Sequence, residues 1–171
     1  MSTDAVVMDR GWTCATCGVL ITRIEDGWVE WLAADDRQGN TKLKGLRLVH
    51  QLGDHSGAPG RRGCRYDAKR EFRNDGSIVE GLPLERFVGP DGLMLLLWFL
   101  ATGELPKDDV LELAKRVQIP GYELTRELFQ EAMASGVVTP SLRDRYYLQT
   151  EIRALLRWAM ETLRSPAAST P

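Results

Sequence analysis

Two thiols separated by two residues stand near the start of the chain, in Trp12-Thr13-Cys14-Ala15-Thr16-Cys17-Gly18. A pair so spaced can fill two corners of a tetrahedral metal site from one tight turn, whose backbone amides then donate to the sulfurs. Gly18 suits the positive φ at which such a turn exits. Two more donors must come from elsewhere. The chain holds 3 Cys and 2 His, so the candidates are His50, His55 and Cys64. The preferred set is Cys14, Cys17, His50 and Cys64, which uses every thiol. His55, inside the Gly-rich stretch 53–63, is the reserve ligand. A redox dithiol is the rival chemistry, but such pairs usually open a helix that lowers the thiol pKa, and Gly18-Val19-Leu20-Ile21 does not read as helical. A hydrolytic metal would need an open position and a nearby acid or base; Asp54 beside His55 is the one candidate, and no H-E-x-x-H motif occurs.

The elements that must position these donors read as strands. Trp28-Val29-Glu30-Trp31-Leu32 follows the turn signal Asp26-Gly27, and residues 42–50 form a second strand after the polar connection 35–40. Period-2 alternation puts Leu46, Leu48 and His50 on one face, so His50 points with an apolar set. Trp12, Trp28 and Trp31 read as a small core under the metal rather than as a stacking surface for single strands.

The Cys14–Gly18 turn followed by β-type residues resembles the first knuckle of a zinc ribbon. The resemblance implies one structural Zn2+ holding a small antiparallel β module. The second half departs from that pattern, because His50 and Cys64 are 14 positions apart.

Residues 90–164 read as helices. Pro90 starts one that ends at Gly103, apolar on every side and therefore expected to be surrounded. A second runs from Pro106 through the stripe Val110, Leu113, Ala114 and Val117, with Asp108 and Asp109 at the positive end of its dipole. Tyr122 to Ala134 reads as one helix with Leu124, Leu128 and Ala132 inward. Thr150 caps the last helix, whose stripe is Ile152, Leu155, Leu156, Ala159 and Leu163. Residues 106–148, with Tyr146-Tyr147-Leu148 as a short strand, resemble a winged helix. The outer face of 122–134 carries Glu123, Arg126, Glu127, Gln130 and Glu131, one cation against three anions, which suits protein docking better than a duplex.

The expected fold class is therefore α+β: a zinc-ribbon-like β module over 11–80, a helical, winged-helix-like module over 90–164, and a disordered tail over 165–171. Composition agrees with a globular chain: 171 residues, 43% hydrophobic and 27% charged, with a net charge of -2 that gives no bias toward nucleic acid. The longest apolar run, Leu93 to Ala101, is half of what a membrane span needs. Met1 to Arg10 lacks the pattern of an export signal, and an odd thiol count fits a reducing compartment, so the expectation is the cytoplasm. The one basic cluster is Arg61, Arg62, Arg65, Lys69, Arg70 and Arg73 around Cys64. The expected function is a non-enzymatic, zinc-stabilised interaction or adapter protein whose partner is another protein. The alternatives are a nucleic-acid-binding regulator using the Arg61–Arg73 cluster, and a zinc-dependent hydrolase.

Overall fold

The computed structural model describes residues 11–35, 38–51, 63–67, 75–142 and 145–164. The class is α+β, with antiparallel sheets and helices. The chain divides between Gln118 and Ile119. The division expected at 80–90 falls inside the first unit, because the sheet face that carries Val29, Trp31 and Leu48 takes its cover from the next two helices.

In the unit 11–118, β1 (Trp12–Thr13) pairs with β2 (Leu20–Ile21). A second sheet has the order β4-β3-β5, with β3 (Gly27–Asp35) central between β4 (Thr41–His50) and β5 (Ile78–Pro83), all antiparallel. Register shifts after Glu30↔Arg47: Gly45 and Leu46 of β4 lie opposite Trp31 alone, and Gly45 takes φ 65°. A bulge of this kind needs glycine in the left-handed region. It also leaves the room in which the Tyr66 hydroxyl reaches the Gly45 carbonyl oxygen at 2.9 Å.

Helices α1 (Gly89–Thr102) and α2 (Lys107–Gln118) complete the core. Leu96 and Phe99 of α1, and Val110 and Leu113 of α2, join Val29, Trp31, Leu48, Leu84 and Phe87 in one buried cluster. Gly92 lets α1 lie against the turn before it, since a Cβ there would sit 2.1 Å from the Phe87 carbonyl carbon. Gly103 ends α1 at φ 66° as expected. The helix is not surrounded, however. Leu93, Met94, Leu97 and Trp98 are exposed, because only one stripe of α1 faces the sheet. No helix among the described residues is long and apolar enough to cross a membrane.

In the unit that follows, 122–134 is not one helix. It splits into α3 (Tyr122–Thr125) and α4 (Phe129–Ala134). The buried residues are Tyr122, Thr125, Phe129 and Ala132; of the expected stripe, Ala132 is buried and Leu128 packs against the same cluster, while Leu124 is not part of it. Thr125 turns its hydroxyl back to the Gly121 carbonyl oxygen at 2.9 Å, while Phe129 stacks on Tyr147. Such back-bonding bends helices. Among the described residues of 119–164 there is no strand, so Tyr146-Tyr147-Leu148 does not form a wing. Arg126 pairs with Glu123 and Glu127, and the face keeps its excess of anions over cations.

The last helix, α5 (Gln149–Arg164), buries Ile152 and Leu155. Thr150 lies inside it rather than capping it. The cap comes from Glu151, whose carboxylate accepts the Leu148 and Ser141 N–H groups at 2.7 Å each. This is the back-reaching half of a capping box. Burial pushes the Glu151 carboxyl up, but these hydrogen bonds outweigh it and hold the group below its ordinary value. A depressed carboxyl stabilises the fold above the unfolded pKa, roughly 4.3, and ceases to do so as pH falls through the folded value. E151Q is therefore expected to speed amide exchange in the first turn of α5 at pH 7. The difference from the parent should shrink below about pH 4. Identical exchange at pH 7 would contradict this role.

Candidate metal centre

The turn between β1 and β2 is closed by the Gly18 N–H donating to the Cys14 carbonyl oxygen and the Cys14 N–H donating to that of Val19, both at 3.0 Å. Gly18 has φ 73°, as the sequence requires. The Ala15 N–H donates to the Leu48 carbonyl oxygen at 2.9 Å, which docks the turn on the end of β4. His50 is the last residue of β4, so its ring meets the turn. The turn is tied from the other side by α2: Trp12 Nε1 donates to the Arg116 carbonyl oxygen at 3.3 Å, and the Arg116 guanidinium donates to that of Thr13 at 2.7 Å.

Cys14, Cys17, His50 and Cys64 converge, with their donor atoms all within 4.8 Å of one another. His50 Nδ1 lies 3.5 Å from Cys17 Sγ and 3.7 Å from Cys64 Sγ. Zn–S near ~2.3 Å and Zn–N near ~2.05 Å at tetrahedral angles give an S···N edge of about 3.6 Å, so the two distances bracket a tetrahedron. Cys14, His50 and Cys64 are buried and Cys17 is half-buried. Burial pushes the Cys14 thiol up, yet the backbone amides of Cys17, Thr16 and His50, with the Cys17 thiol, hold it below its ordinary value. Amides aimed at a sulfur favour the thiolate, the form that binds metal. This group can bind a metal ion, and it supplies the four protein donors that a closed tetrahedral site would need.

No protein-family profile, no curated protein and no solved structure matches the chain. The chemistry of the site therefore stands on its own geometry.

The sequence reading did not identify what holds Cys64. No strand carries it; it lies in the segment 63–67. Its carbonyl oxygen accepts from Thr16 Oγ1 at 2.6 Å and from the Arg47 guanidinium at 3.4 Å. Glu30, fully buried, accepts the Tyr66 N–H at 2.9 Å and pairs with Arg47 at 2.7 Å through the same oxygen. Its other oxygen accepts no hydrogen bond among the described residues and faces Arg65 Nε at 3.7 Å. The Arg47 guanidinium lies 3.4 Å from the centre of the Tyr66 ring. One signal was available: Glu30 and Arg47 are opposite charges, each flanked on both sides by apolar residues of its strand.

Of the basic cluster, Arg65 alone is described. It stacks over Trp28 at 4.5 Å and leans on Glu30. Arg61, Arg62, Lys69, Arg70 and Arg73 lie outside the described residues, as do His55, Asp54 and the tail 165–171. Trp31 is buried edge-on to Phe99 at 5.5 Å, and Trp12 and Trp28 pack against the same core.

Proposed function

We propose that the chain is a non-enzymatic interaction protein of the cytoplasm whose first unit is built around one structural zinc ion. The observation that carries the reading is the complete set of protein donors at Cys14, Cys17, His50 and Cys64. Three thiolates and an imidazole in a tetrahedral arrangement favour zinc over harder or square-planar ions. A filled coordination sphere leaves no position for water, which disfavours hydrolysis. The exposed Leu93, Met94, Leu97 and Trp98 on α1 support contact with another protein. The engagement of Arg65 by Glu30 and Trp28 lends less support to a nucleic-acid reading.

Elemental analysis of the purified chain tests the metal. One zinc per chain is expected, and close to none in a C14S/C17S variant. A parent chain with no bound metal, or metal retained by the double variant, overturns the reading.

A further inference from the structure

We infer that Glu30, Arg47 and Thr16 are positioning residues for the metal centre, acting by anchoring the backbone of the segment that carries Cys64. The inference rests on the zinc reading above and goes beyond it, because none of the three contributes a donor atom to the ion.

The need for anchoring follows from how each ligand arrives. Cys14 and Cys17 share a hydrogen-bonded turn, and His50 sits at the end of a paired strand. Cys64 lies in no strand among the described residues. Its segment gains position from side chains instead: Thr16 Oγ1 and the Arg47 guanidinium both donate to the Cys64 carbonyl oxygen, and Glu30 receives the Tyr66 N–H two residues later. Glu30 and Arg47 stand opposite each other across β3 and β4, just before the bulge. The Tyr66 ring lies on the Arg47 guanidinium and its hydroxyl reaches into the space Gly45 leaves. Two hydrogen-bonded points two residues apart define both the position and the direction of the segment, and hence the aim of Cys64 Sγ.

The charges agree with this assignment. Three thiolates leave a divalent ion with a net negative charge. Arg47 and Arg65 together balance that charge and the carboxylate of Glu30. Thr16 adds a second link: it lies between the two Cys of the turn, so its bond to the Cys64 carbonyl couples two ligand-bearing segments directly. Groups that orient metal ligands typically change affinity by about 10–100-fold when removed.

The test uses the zinc-loaded full chain and two variants chosen to spare the fold. T16V removes one hydroxyl at nearly constant shape. E30M/R47M removes both ends of the ion pair, so that no buried charge is left alone. Each thiol's alkylation by iodoacetamide is followed by mass spectrometry of the peptides. In both variants Cys64 is expected to react about tenfold or more faster than in the parent, with Cys14 and Cys17 close to their parent rates. Zinc affinity, measured by chelator competition, is expected to fall about tenfold or more. Acceleration of all three thiols together means general loosening and overturns the inference, as do parent-like rates at Cys64. Thiols in the parent that react no faster after zinc removal overturn the zinc reading itself, which separates the two failures.

Discussion

Chelation of the metal is expected to unfold residues 11–118. A structural zinc contributes ~10–16 kcal/mol of coupled binding and folding, as much as the whole stability of an ordinary domain. The architecture gives the reason for this expectation. The larger sheet has three strands, the β1–β2 hairpin contributes only two residues per strand, and the segment carrying Cys64 has no strand partner among the described residues. An ion held by Cys14, Cys17, His50 and Cys64 would join the turn at 14–17, the end of β4 and that segment, closing the loops between them. Thermal melts with and without a strong chelator, read by circular dichroism and tryptophan fluorescence, measure the effect. The strand signal should be lost at room temperature after chelation, and readdition of zinc should restore it. C64S should lower the melting temperature in the same direction by a smaller amount. An unchanged melt in chelator would contradict the structural role of the site.

Arg47→Met is expected to cost about 3–5 kcal/mol in the zinc-loaded protein. Glu30 is fully buried, and its carboxylate takes its shortest contact, at 2.7 Å, from Arg47. With Arg47 gone, the remaining cation facing it among the described residues is Arg65 at 3.7 Å, which is half-exposed. A buried charge without a close partner is costly, whereas a buried pair replaced by apolar groups of similar size is often nearly neutral. E30M/R47M should therefore be more stable than R47M alone. Denaturant midpoints of the three proteins measure this order. A double variant less stable than the single would show that the ion pair itself, and not the orphaned carboxylate, carries the stability.

Much of the site was legible because it is local. Cys14, Cys17 and Gly18 form a turn whose geometry depends on a few neighbouring residues, and the turn appears as its spacing requires. His50 was legible from strand alternation. Cys64 entered by thiol usage alone, and its convergence with the others is a product of the fold. The Glu30–Arg47 pair was missed because a charged residue in a strand ordinarily faces water. Only the register Glu30↔Arg47, and cover on both faces of β3, turn it inward.

In the helices, composition and end signals sufficed for α1 and α2, while for α5 the apolar stripe was legible but the cap, Glu151 in place of Thr150, was not. They did not suffice where leucine spacing competed with larger side chains. Leu124, Leu128 and Ala132 keep helical period, yet Tyr122 and Phe129 occupy the core, and the helix breaks to seat them.

By itself the sequence determined the donor types, the knuckle, the α+β class and the ends of α1 and α2, all of which follow from interactions spanning a few residues. Tertiary structure alone decided where the chain divides, which face of α1 stays open, and which buried pair anchors Cys64. Those outcomes depend on contacts between residues far apart in the chain, where burial and register outweigh local preference.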